Sequence, residues 1–135
     1  MKRLFTFIFL ILFLGSCRGN NSTDFRVIQL RCNNLEDPAG VDKVPAFSWI
    51  VSCGIRGAAQ TAYQIILASD ADNLKSDSDC FWNSGKTNSS QSSWIVYSGP
   101  ALEPAKQYFW KVRLWDNKDN PSPWSSSAIF ITGLF

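Results

Sequence analysis

The sequence predicts an all-β fold, a seven-stranded antiparallel sandwich, and three observations carry that prediction. From Phe25 onward, short runs rich in β-branched and aromatic residues alternate with turn residues at close spacing, which is the cadence of a sandwich. No stretch carries the three- and four-residue apolar spacing of an amphipathic helix. Aromatic residues make up 14% of the chain, with six Trp, enough to fill a small core.

The first run is Arg26 to Cys32. The second, Ala46 to Ser52, places Phe47, Trp49 and Val51 on one face. Gln60 to Ala68 sends Tyr63, Ile65 and Leu67 inward and Gln64 outward. A short strand surrounds Phe81 to Ser84, and another covers Trp94 to Tyr97. In Gln107 to Trp115, Tyr108, Trp110, Val112 and Leu114 recur at period two, and Ser127 to Thr132 closes the set. Pro38-Ala39-Gly40, Gly54 to Gly57 and Asn120-Pro121 supply bends. The polar stretch Ser69 to Asp79 has room for one helical turn at Ala71 to Lys75. Lys86 to Ser93, rich in Ser and Asn, reads as a mobile hairpin, and Arg56, between Gly54 and Gly57, is a candidate interface residue.

The N-terminal end is a targeting segment. Lys2 and Arg3 precede an almost unbroken apolar run, Leu4 to Leu14, too short to span a bilayer and suited to a signal-peptide core. Leu14-Gly15-Ser16-Cys17 resembles the lipobox of bacterial lipoproteins, which implies cleavage after residue 16 and lipidation of Cys17. Two or more acyl chains give stable anchoring. The division that follows is 1–16 signal peptide, 17–25 lipidated Cys and polar tether, and 26–135 sandwich. The resemblance implies a lipid-anchored protein of the cell envelope, at the outer membrane, on its periplasmic or outer surface. Arg18-Gly19-Asn20-Asn21 after Cys17, with the first acid at Asp24, weighs against the outer surface.

The charge balance also changes at the cleavage site. Of 13 basic and 11 acidic residues, Lys2 and Arg3 belong to the signal, so the remainder is formally neutral. That excludes nucleic acid as a partner, for want of phosphate-neutralising charge. The chain has no His, which removes the commonest general base and metal ligand. With Cys17 lipidated, Cys32, Cys53 and Cys80 are left, without a CxxC spacing, so no metal site is expected. At most one disulfide can form. Cys53 falls at the opposite end of the sandwich from the other two, and mostly buried thiols are expected.

Leu102-Glu103-Pro104-Ala105-Lys106-Gln107-Tyr108 leading into Trp110 resembles the tyrosine corner of fibronectin type III domains, with Tyr108 and Leu102 in the two structural roles. Trp49 matches the core Trp of that immunoglobulin-like fold. A wider resemblance follows from ordered segments: Leu30-Arg31-Cys32 with Asn34 to Pro38, Pro45-Ala46-Phe47-Ser48-Trp49, Gln60 to Ile65, Trp82 to Lys86, Tyr108 to Asp116, and Trp124-Ser125 before Phe130 and Gly133-Leu134. Together they resemble the N-terminal β-sandwich of bacterial, Bacteroidetes-type α-L-rhamnosidases. In that family the chemistry belongs to a later helical barrel, so its catalytic residues have no counterparts here. The resemblance implies an isolated first domain, a truncated frame or fragment, with no catalytic residues and no cofactor of its own.

Glu36, Asp37, Asp116 and Asp119 are the paired carboxylates a glycosidase relative invites, but on short loops they read as turn formers. No phosphate loop or nucleophile elbow is present. The outward residues Phe109, Lys111, Arg113 and Trp115, with Trp124 nearby, offer three readings. Trp115 and Trp124 could stack on sugar rings of rhamnose-containing glycans. Trp124 could instead pack on Arg113 by a cation–π contact. Phe109 and Trp115 could be covered by the following domain. The leading expectation is a non-catalytic spacer and packing module whose partners are the membrane, through the lipid, and downstream glycosidase domains. The alternatives are a stand-alone carbohydrate-binding module and a small adhesion lipoprotein that uses an exposed sheet edge.

Overall fold

The computed structural model describes residues 24–135; the signal segment, Cys17 and most of the tether lie outside the described residues. Nine strands form two sheets: β1 Phe25–Cys32, β2 Ala39–Val41, β3 Ala46–Cys53, β4 Ala62–Ala68, β5 Trp82–Asn83, β6 Thr87–Asn88, β7 Ile95–Val96, β8 Gln107–Trp115 and β9 Ala128–Thr132. The small sheet has the order β1-β3-β7. The large sheet runs β2-β9-β8-β4-β5, with β6 also on β4. A 3-10 turn at Asp72–Lys75 occupies the site of the expected helical turn.

Two strands go beyond the seven expected. β6 is one. The other is β2, in the segment read as a bend, where Gly40 at φ +78° lies within a register shift between Ala39 and Val41. It runs parallel beside β9, so the sheet is not purely antiparallel. β1 starts at Phe25, which is buried, one residue inside the expected tether.

Alternation in β3 and β8 builds the core. Phe47 is fully buried, with ring centroids of Trp110 at 4.5 Å and Phe130 at 6.0 Å, and Trp82 and Tyr97 just beyond. Trp49, Ile65, Leu67, Tyr108, Val112 and Leu114 complete the layer between the sheets. Gln64 points outward as expected, and it is buried there between Asn83, which accepts from its Nε2, and Arg113, which donates to its Oε1. The outer face of the large sheet carries a second apolar cluster, Ile66, Ala68 and Leu74 with Cys80, Phe109 and Trp124 against it. Leu74 arrives from the 3-10 turn.

The expected mobile hairpin is pinned instead. Thr87–Asn88 pairs with β4, and Trp49 N donates to the Ser92 carbonyl at 2.9 Å. The buried Gln60 side chain donates to the carbonyls of Ser89 and Gln91 at 3.0 and 2.8 Å and accepts from Trp49 Nε1 at 3.1 Å. A polar side chain enters a core when each of its groups is paired.

The tyrosine corner is formed. Tyr108 is fully buried, its hydroxyl accepts the Glu103 N–H at 3.0 Å, and Leu102 is buried beside the turn. Tyr108→Phe would leave that N–H without its acceptor, and a lost partner of this kind costs about 1–2 kcal/mol. Urea unfolding should show a lower midpoint at unchanged slope; an unchanged midpoint would deny the corner a stabilising role.

Past the β8–β9 pairing, residues 121–126 strap the upper part of β8. Ser122 N donates to the Leu114 carbonyl and Ser122 Oγ accepts the Leu114 N–H; Ser125 does the same for Val112. Two serines thus satisfy backbone groups that a regular strand would otherwise pair.

Candidate functional site

The outward side chains of β8 form a ladder with the strap. Arg113 Cζ lies 4.6 Å from the Trp124 ring centroid and 5.0 Å from that of Trp115. Lys111 Nζ sits 4.5 Å over Trp124, and Lys86 Nζ 5.0 Å over Trp115. Arg113 Nε donates to Gln64 Oε1 at 2.9 Å, and Lys86 also pairs with Asp119. Cations over indole faces within about 6 Å are attracted by the ring quadrupole. Burial lowers the Lys111 pKa, and the Arg113 charge adds to the fall while Asp77 opposes it. Trp115 is only 8% exposed. Phe109 and Trp124 are half-buried against the cluster under the 3-10 turn. The structure therefore brings Phe109, Arg113, Trp115 and Trp124 together on one face, with each aromatic already in contact with side chains of this domain.

The carboxylates do not converge. Asp116 accepts the N–H groups of Asn120 and Lys118 and the Asn120 side chain, which together hold its pKa below the usual carboxylate value. Asp37 Oδ1 accepts the Ile129 N–H at 2.9 Å. Glu36 lies 4.0 Å from Arg31, an exposed pair. Each carboxylate has a turn, strand-edge or surface-charge role. Among the described residues no group of three or more His, Cys, Asp or Glu could hold a metal.

The three described cysteines are free thiols in different settings, contrary to the expectation that most are buried. Cys32 is buried, and burial pushes its thiol pKa up to about 12. Cys53 is exposed, and the register of β1 on β3 puts it at the other end of that ladder. Cys80 is half-buried at the edge of the outer cluster, with its pKa raised chiefly by burial. Since the thiolate is the reactive form, a colorimetric thiol reagent at pH 8 should label Cys53 within minutes and Cys32 only after denaturant is added. Rapid labelling of Cys32 in the native protein would contradict its enclosure.

The small sheet is finished differently. On its outward side Ile50, Trp94 and Val96 are each about half exposed. Trp94 sits just before β7 with φ +55°, its N–H donated to Ser48 Oγ at 3.0 Å. Beside Ile50 is a depression of about 220 Å³ lined by Gln29, Arg31, Asn34, Ser48 and Ser93. Sequence reasoning passed over Trp94 because β7 is too short for periodicity to assign a face. The one available signal is an aromatic residue preceded by two serines and followed by a β-branched pair.

A family model described as "Rha78A-like, N-terminal immunoglobulin domain" matches residues 27–135. A protein of Formosa agariphila named alpha-L-rhamnosidase is 36% identical over 138 residues, covering 98% of this chain and 14% of its own length. The solved alpha-L-rhamnosidase of Dictyoglumus thermophilum superposes with a TM-score of 0.79 at 42% identity, covering 84% of this chain and 13% of that one. The Streptomyces avermitilis alpha-L-rhamnosidase, solved with L-rhamnose, gives 0.77 at 37% identity, over 82% and 11% respectively. The chain thus spans about a seventh or less of the length of these relatives.

Proposed function

The chain belongs to the Rha78A-like N-terminal immunoglobulin domain family, and from that membership we propose that it is the non-catalytic spacer and packing module of a rhamnosidase-type glycoside hydrolase, held at the cell envelope by a lipid on Cys17. The observation that carries the reading is its coverage: the match takes in nearly the whole described fold, yet only 10–14% of the relatives' length. No arrangement of acid and base within the domain suggests chemistry of its own.

The geometry suits a spacer. Phe25 pairs with Cys53 at the far end of β3, whereas Gly133 N donates to the Val41 carbonyl and the Phe135 ring lies beside Lys43, ahead of the near end. Entry and exit are therefore separated by the length of an eight-residue strand, roughly 25 Å at strand rise. A tether from Cys17 would hold one pole at the membrane and pass the load to whatever follows the other. The outer membrane, on its periplasmic or outer surface, is the proposed location.

The carbohydrate-binding alternative on Trp115 and Trp124 has less support, because the ring faces a sugar would use are occupied by Lys86, Lys111 and Arg113. The adhesion alternative needs an inviting sheet edge, and β1 is interrupted by a register shift with Gln29 at φ +50°, which blunts it.

Three measurements test the proposal. The DNA beyond the codon for Phe135 should continue in frame into a much longer protein, and an immediate stop would sink the parent-enzyme reading. Cells fed a labelled fatty acid should label the protein through Cys17, and labelling that persists in Cys17→Ser would remove the anchor. Turnover of an aryl α-L-rhamnoside by the isolated chain would overturn the non-catalytic assignment.

A further inference from the structure

The two outer faces of the sandwich contrast. On the large sheet the 3-10 turn, the strap and the cation–aromatic ladder cover Phe109, Trp115 and Trp124. On the small sheet Ile50, Trp94 and Val96 are each left about half exposed.

These three side chains form one track. Val96 is the register partner of Ala46, Trp94 is hydrogen-bonded to Ser48, and Ile50 is the next outward residue along β3. At the foot of the track stands exposed Val44, beside Lys43, whose ammonium lies 5.4 Å from the Phe135 ring. Trp94 is also held in place. Its N–H is bonded to Ser48 Oγ, and its carbonyl accepts from Gln91 Nε2 at 3.3 Å. An aromatic on clamped backbone gives up little freedom on docking, which favours it as an anchor.

We infer that the outward face of β1, β3 and β7 is the docking surface for the domain that follows this one in a longer polypeptide, with Trp94 as its central anchor. The inference rests on the packing-module reading and adds the surface to it. Two observations select this occupant. In the relatives the matched region is 10–14% of the protein, which on the packing-module reading leaves a large attached partner, and a chain continuing past Phe135 would start beside Lys43 at the foot of the track. The partner surface this face fits is apolar at its centre, with a carboxylate or amide reaching the depression beside Ile50, where Arg31 and Asn34 offer donors. The sequence also offers Phe109 and Trp115 as residues that meet the next domain, and the two candidate surfaces lie on opposite sheets.

Hydroxyl-radical footprinting read by mass spectrometry, on residues 24–135 alone and on the long protein without its first 23 residues, tests this. Oxidation of Trp94 should fall at least about fivefold in the long protein, with Ile50 and Val96 following, while Trp124 changes by less than twofold. The double variant Trp94→Ser, Ile50→Thr should leave unfolding of the isolated domain within a degree of the parent, yet make the junction after Phe135 cleavable by protease in the long protein. Protection centred on Trp124, or on the loop around Arg56, would overturn this surface and keep the packing reading. No protection anywhere, or a reading frame without a further domain, would overturn both. Concentration-dependent dimerisation of the isolated domain that Trp94→Ser abolishes would assign the face to a second copy and overturn the inference.

Discussion

Phe47→Ala is expected to lower the unfolding free energy by about 3–5 kcal/mol, the usual cost of emptying a buried phenylalanine site. The ring has no solvent-exposed surface and sits among Trp82, Tyr97, Trp110 and Phe130, which come from both sheets. Those neighbours are themselves large and interlocked, so the cavity has little way to close. A domain of this size has only about 5–15 kcal/mol in hand. Equilibrium urea unfolding followed by Trp fluorescence should show a much earlier transition, with a large fraction unfolded near 37 °C. A loss below 1 kcal/mol would mean that the two sheets do not meet through Phe47.

Gln60→Ala is expected to cost about 3 kcal/mol through a different mechanism. Truncation strands the Trp49 indole N–H and the carbonyls of Ser89 and Gln91, three groups that now share one amide. Each buried group left without a partner costs about 1–3 kcal/mol, and the sum is reduced where water can enter. The effect should also be local. Hydrogen exchange at residues 87–92 should speed up by orders of magnitude while amides in β8 keep their relative protection. Equal loosening of both regions would show that Gln60 supports the whole core and not this segment. Gln60→Glu should be no better, since an anion cannot donate to the two carbonyls.

Much of this architecture can be read directly from residue order, and the exceptions have physical causes. β8 has the range its period-two pattern predicts, Gln107–Trp115, because nine alternating residues leave no competing period. Tyr108, Leu102 and Trp49 occupy their expected structural positions because the corner is a local device with local spacing. Pattern fails where distant chain decides. Alternation turns Gln64 outward correctly, but its burial is set by Asn83 and Arg113, which come from other strands. Pro38-Ala39-Gly40 looks like a bend, and it becomes a strand because β9 offers a free edge. Residues 86–93 lack any apolar signal, and what fixes them is a glutamine far upstream. The contact of Trp124 with Arg113 is among the readings the sequence offers, since period two turns Arg113 outward and Trp124 falls just before the last strand. The exposure of Trp94 is not, because it depends on a positive φ that no alternation reports.

The parallel pairing of β2 with β9 also governs how the molecule can be made. Asp37, just before β2, holds the Ile129 N–H from 92 positions away, and Val41 receives the Gly133 N–H. A chain emerging from a ribosome or a translocation pore from its N-terminus has no partner for β2 until the last strand is out. Until then β8 also lacks its neighbour along residues 107–110, leaving a long apolar edge open to the wrong strand. Closing loops of that size is slow compared with forming local hairpins. Completion of the sandwich is therefore a post-emergence event, and a nascent chain stalled before Ala128 should stay in a protease-sensitive, chaperone-dependent form.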